Sequence, residues 1–127
     1  MEGRLHLPEL ELEIMLVIWE LGDGVSAPKI QERLGRPLTA SALHTCLKRL
    51  EKKGYLSCEK EGKGNLYHPL VSRSEYQREE GASVLAKLYQ GSLSRFAAAL
   101  YDGGALSPED VAELRAYLDS LGEGKPC

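Results

Sequence analysis

Apolar residues recur at helical spacing between Pro8 and Leu21. Leu10, Ile14, Val17, Ile18 and Leu21 share one face, and Glu9, Glu13 and Glu20 take others. Gly22-Asp23-Gly24 stops this first helix. Ser26 caps a short second helix to about Leu34, with Pro28 in its first turn, and Gly35-Arg36-Pro37 breaks the chain again. A third helix is predicted from its cap at Thr39 to Lys53, closed by Gly54. In it Leu43, Cys46, Leu47 and Leu50 fall at i, i+3, i+4 and i+7. Ser41, Thr45, Lys48 and Lys52 lie almost diametrically opposite, with His44 and Arg49 on the shoulders.

After Gly54 the period drops from helical to two. Residues 55–60 and 66–70 read as strands around the turn Glu61-Gly62-Lys63-Gly64-Asn65, with Pro69 expected at an edge or strand end because it lacks a backbone donor. Three helices followed by a hairpin is the order of a winged helix-turn-helix. From Ser72 the pattern is helical again. Ser72-Arg73-Ser74-Glu75 and Ser107-Pro108-Glu109-Asp110 both read as capping boxes. The first opens a helix to about Gln90, which Gly91-Ser92 kinks or breaks before residues 93–101; the second opens a helix to about Leu121. The fold class expected is therefore mainly α with a small β-hairpin wing. Residues 1–71 form the winged helix and residues 72–127 a helical dimerisation region.

Two apolar stripes in that second region lack a partner within it. One is Leu85, Leu88, Tyr89, Leu93, Phe96 and Leu100; the other is Val111, Leu114, Leu118 and Leu121, spaced alternately by three and four. A second copy related by two-fold symmetry would cover both.

Net charge is −3, which by itself argues against a nucleic-acid partner, but its distribution reverses that reading. Residues 1–34 sum to 3 − 7 = −4 and residues 35–64 to 7 − 3 = +4. Residues 65–127 sum to 6 − 9 = −3. The basic segment coincides with the third helix and the hairpin. A helix that enters a major groove needs an apolar back and a front of short polar and long basic side chains. Thr39, Ser41, Ala42, His44 and Thr45, near the helix start, are placed to face DNA. Lys48 and Arg49 reach bases or phosphates, and Lys52 and Lys53 meet backbone phosphates. Lys60 and Lys63, near the hairpin tip, suit a wing lying along the backbone.

Catalytic alternatives are thin. His6, His44 and His68 are far apart, and no nucleophile elbow, phosphate loop or His-Glu-x-x-His is present. Glu9, Glu11 and Glu13 read as a solvated helix face, and Trp19 as core. Cys46 reads as a small core residue. Cys46, Cys58 and Cys127 form no C-x-x-C pair, so neither a disulfide framework nor a metal site is expected, and no cofactor. The longest apolar run, Ile14 to Trp19, is far short of the ~20 residues of a membrane span. Residues 1–7 show no secretory leader, and a reduced cytoplasmic protein without membrane insertion is expected.

Several runs together resemble the penicillinase-repressor family of the BlaI, MecI and CopY type. They are Leu7-Pro8-Glu9-Leu10-Glu11 with Ile14-Met15 and Ile18-Trp19, then Val25-Ser26-Ala27, then Thr45-x-Leu47-x-Arg49-Leu50-x-Lys52-Lys53-Gly54-Tyr55-Leu56. Tyr67-His68-Pro69-Leu70, Leu88-Tyr89 and Glu113-Leu114-Arg115 follow in the same order. The resemblance implies a dimeric cytoplasmic repressor that binds double-stranded operator DNA. It also implies control of β-lactam-resistance genes and relief by cleavage triggered by a membrane-bound sensor protease. Three departures stand out. Ser41, Ala42 and His44 replace the Lys, Thr and Arg of well-studied resistance repressors, which implies a different operator. The family's scissile Asn-Phe bond aligns with Ala99-Leu100, where neither side chain is retained. The Cys-x-Cys pairs of the copper-responsive branch are absent, leaving Cys127 alone. The alternative reading is a winged helix used for protein–protein contact, its basic face on an acidic partner.

Overall fold

The computed structural model describes residues 6–123. The tail with Cys127, and most of the segment read for a leader, lie outside the described residues.

Pro8 opens α1 (Glu9–Leu21) by accepting the Leu12 N–H on its carbonyl at 2.9 Å. Gly22 ends it at φ +98°, in the left-handed region that glycine enters without a Cβ clash. The buried face is Glu11, Ile14, Met15 and Ile18, continued by Leu7. This rotates the expected face: Ile14 and Ile18 lie on it, Leu10 and Val17 pack only partly against the core, and Leu21 is exposed. The helix is apolar on nearly every side, so spacing alone leaves the buried side open. The acidic face is also revised, because Glu11 is buried and Glu13 is half-buried.

Val25–Ser26 form β1, a strand absent from the expected pattern, and Ser26 then caps α2 (Ala27–Arg33) by accepting the Lys29 N–H. The connection to α3 (Ala40–Lys52) is held by the Gln31 side-chain amide on the Leu38 carbonyl. Beyond α3, Gly54 at φ +89° turns the chain into β2 (Leu56–Glu61), which returns as β3 (Gly64–Pro69). The hairpin loop is tighter than expected. Glu61 pairs with Gly64, leaving Gly62-Lys63 as a two-residue loop with Gly62 at φ +61°, the first position that a type II′ turn reserves for glycine. The sheet is antiparallel with order β1-β3-β2, and Val25 and Ser26 pair with Tyr67 and Leu66. Pro69 ends β3, beyond the stretch that β1 pairs.

Ile14, Ile18, Leu43, Leu47 and Leu50 are at most 1% exposed and form the centre of the core. Each such side chain contributes about 1.5–3 kcal/mol of burial. Trp19 packs on this core from its edge, donating its indole N–H to the Val71 carbonyl at 2.8 Å. Its ring lies 5.8 Å from that of Tyr76, which in turn meets Tyr55 edge to face at 5.9 Å. Tyr76 belongs to α4 (Arg73–Tyr89), so the start of this helix packs within the first of the chain's two compact units, residues 1–81. The Ser72 capping box is formed, with Glu75 N–H on Ser72 Oγ at 3.1 Å and Ser72 N–H on Glu75 Oε1 at 2.9 Å.

The second unit, residues 82–127, holds the end of α4, α5 (Leu93–Asp102) and α6 (Pro108–Glu123). Gln90 and Gly91, both at positive φ, break the chain between α4 and α5, and Ser92 caps α5 on the Arg95 N–H. Ser107 and Asp110 form the second capping box at 2.9 and 3.0 Å. The Ser107 N–H holds the Asp110 carboxyl below its ordinary pKa. None of the described residues 82–122 is buried. Among the described residues no helix is long and apolar enough to cross a membrane.

Candidate nucleic-acid interface

The third helix separates two chemistries sharply. Leu43, Cys46, Leu47 and Leu50 are all buried, as their spacing predicts, while Ser41, His44, Thr45, Lys48, Arg49 and Lys52 are exposed. Ala42 is half-buried between the two faces. The outward stripe from Ser41 to Lys52 spans about 16 Å at 1.5 Å per residue, roughly half a DNA turn. Thr39 has a structural task, its hydroxyl accepting the Ala42 N–H at 3.0 Å as the helix cap. Thr45 donates its hydroxyl proton to the Ser41 carbonyl at 3.1 Å. It therefore presents lone pairs and a methyl group outward, suited to a base-edge donor or a thymine methyl. Burial and the neighbouring Glu11 carboxylate push the Cys46 thiol above its ordinary pKa, which keeps it a neutral core group.

The basic residues of the central segment fall into two sets. Arg36 makes a bidentate pair with Glu13 at 2.9 and 2.7 Å, and Lys53 Nζ lies 2.6 Å from Glu11 Oε1. Lys48, Arg49, Lys52, Lys60 and Lys63 are exposed and make no ion pair among the described residues. Lys53 is thus corrected from a phosphate contact to a partner of α1, its side chain turned inward to 19% exposure. Lys63 is at the wing tip and Lys60 on β2 opposite Asn65. By alternation Lys60 shares the face of the sheet that carries Leu56 and Tyr67 into the core.

Two relationships have no local signal in the sequence. Glu11 and Lys53 are 42 positions apart. His68, on β3, is gripped on both ring nitrogens, by Asp23 at 2.9 Å and Glu59 at 2.8 Å. Hydrogen bonds to Asp23 and then Glu59 raise its pKa, since only the imidazolium donates to both carboxylates.

The residues read as dimerising all lie in the second unit, save that α4 begins in the first. Leu85, Tyr89, Phe96, Leu100 and Val111 are half-buried, and the Tyr89 and Phe96 rings meet at 4.9 Å. Leu88, Leu93, Leu114, Leu118 and Leu121 are exposed, Leu88 at 68%. Ala97, Tyr101, Leu106, Val111 and Leu114 line an open apolar cleft of about 460 Å³ between α5 and α6. Ala99 is exposed and Leu100 half-buried inside α5, and the Ala99 carbonyl accepts the Gly103 N–H at 3.0 Å.

Residues 7–120 match the family described as Penicillinase repressor. The chain is 31% identical to the penicillinase repressor of Bacillus licheniformis over 116 residues, covering 90% of each chain. It is 28% identical to the methicillin resistance regulatory protein MecI of Mammaliicoccus sciuri, covering 90% of this chain and 94% of that one. Among solved structures, the DNA-binding domain of the repressor BlaI superposes with a TM-score of 0.51 at 31% identity, over 60% of this chain and 94% of that one. The same values hold for the monomeric form of Bacillus licheniformis BlaI in complex with the blaP half-operator. The chain belongs to the penicillinase repressor family, whose members are transcriptional repressors built on a winged helix, not enzymes.

Proposed function

We propose that this protein is a homodimeric repressor that holds a two-fold symmetric operator, with one α3 in each of two major-groove half-sites and the wings along the flanking backbone. The observation that carries the reading is the exposed set Lys48, Arg49 and Lys52 on α3, without an ion pair among the described residues, directly behind which four apolar residues are buried. Ser41, Ala42, His44 and Thr45 read base edges, Thr39 sets the helix start, and Lys60 and Lys63 bind phosphates. Residues 1–71 carry this work. Residues 72–127 join two copies through the exposed leucines of α4, α5 and α6, which supports a spacing between recognition helices of about 34 Å or a multiple. Its place of action is the cytoplasm, where the operator DNA is.

The regulated genes are of the β-lactam-resistance type, by analogy with relatives named as penicillinase and methicillin-resistance regulators. Relief by a sensor-protease system acts near Ala99-Leu100. A protease takes its substrate extended, and the Ala99 carbonyl is hydrogen-bonded inside α5, so cleavage there has to follow local opening of that helix.

Titration of a labelled duplex with the intact chain tests the reading. With roughly 6–10 phosphate contacts per dimer, affinity falls by about 10³–10⁵ between 50 and 200 mM salt. A flat salt response contradicts groove binding.

A further inference from the structure

Building on that DNA-binding reading, we infer that the part-buried ion pair between Glu11 and Lys53 sets the angle of α3, making both residues positioning residues for DNA readout. Lys53 is the C-cap of α3, its N–H on the Arg49 carbonyl, and its Nζ crosses to α1. The Glu11 side chain is 4% exposed and shares the buried face of α1 with Ile14, Met15 and Ile18.

Stability does not account for such a pair. Withdrawing the Glu11 carboxylate and most of the Lys53 side chain from water offsets much of their mutual attraction, and apolar side chains of similar volume commonly serve the fold as well or better. Geometry is what the pair adds. Apolar contacts let two helices slide over one another, whereas a charge-assisted hydrogen bond of 2.6 Å fixes one point on each. The point fixed on α3 adjoins Lys52 and lies one turn from Arg49. The opposite end of the helix is held separately by the Thr39 cap and the Gln31 contact with Leu38. Immediately after Lys53 the chain turns at Gly54. Tyr55 then bonds the Leu50 carbonyl through its N–H and the Leu70 N–H through its carbonyl. One pin thereby orients the recognition helix and the base of the wing together. The other ion pairs of α1 among the described residues, Arg36 with Glu13 and Glu9 and Arg33 with Glu20, are more open to water, where salt and side-chain freedom leave them less grip.

The test compares full-length Lys52→Met, Lys53→Met and the double variant Glu11→Leu/Lys53→Met. Each is titrated over a range of salt against a duplex selected by the wild type and against a scrambled duplex. The double variant leaves no orphaned carboxylate, so it folds even where Lys53→Met does not. Lys52→Met lowers the slope of log affinity on log salt by about 0.9 for each phosphate no longer neutralised, and it leaves the ratio between the two duplexes intact. Lys53→Met and the double variant keep the wild-type slope, while the ratio falls by about tenfold, within the range of one good base contact. A slope lowered by Lys53→Met as by Lys52→Met makes Lys53 a phosphate contact and overturns the inference. A folded double variant with an unchanged ratio overturns it too, leaving the pair a packing feature. Wild-type protein that selects no duplex is a different failure, bringing down the DNA-binding reading and this inference with it.

Discussion

The Trp19 indole N–H and the Val71 carbonyl meet at 2.8 Å, tying the first helix to the segment that leaves the wing. Val71 is 1% exposed, so a carbonyl deprived of this donor has little water to turn to. Trp19→Phe keeps an aromatic ring beside Tyr76 but removes the donor. Stability falls by about 1–3 kcal/mol, the cost of an unsatisfied buried acceptor. Denaturant unfolding checks this, with an unchanged midpoint as the contrary result.

His68 makes part of the fold depend on pH. Its folded pKa is raised, so the pair of bonds to Asp23 and Glu59 contributes fully below the unfolded histidine value of about 6.5. That contribution is lost as pH rises through the folded pKa. An NMR titration of the imidazole shows a midpoint above 6.5 in the native protein, and His68→Ala flattens the melting temperature across that window. A midpoint at or below the ordinary histidine value contradicts the bridging geometry.

The second unit offers a sharper mechanical test. Leu118 is 48% exposed and Leu114 40% exposed on α6, apolar surface that one copy leaves in water. Leu118→Asp gives a chain with an intact first unit that sediments as a monomer and loses its hold on DNA at nanomolar concentration. Analytical ultracentrifugation beside a DNA titration reads both effects. A dimeric variant, or a monomer binding as tightly as the intact chain, places the function of α6 elsewhere.

What the sequence made legible was mostly local. Leu43, Cys46, Leu47 and Leu50 lie within eight positions and face a single core, so their period identified the buried side of α3 and, by elimination, its outward side. The Ser72 and Ser107 boxes were equally readable, since cap and partner are three residues apart. The hairpin followed from the change of period after Gly54 and the glycine-bounded turn around Gly62. Long-range relationships left no such trace. β1 is two residues long and pairs with a strand some forty positions away, too short to alternate visibly. The buried side of α1 was hidden by an excess of apolar residues. Glu11 read as part of a solvated face and Lys53 as a phosphate contact, because only the packed fold brings them to 2.6 Å.

The division of labour on α3 is the centre of this account, and selection of binding sites from a random duplex library measures it most directly. Intact protein enriches one site with two-fold symmetry, its half-sites a whole number of DNA turns apart. His44→Ala changes base preference at one or two positions in each half-site, by about 1–3 kcal/mol each, because a base contact carries sequence information and a phosphate contact does not. A library that emerges without a preferred sequence, with binding that nonetheless persists, would contradict a repressor that reads an operator through this helix.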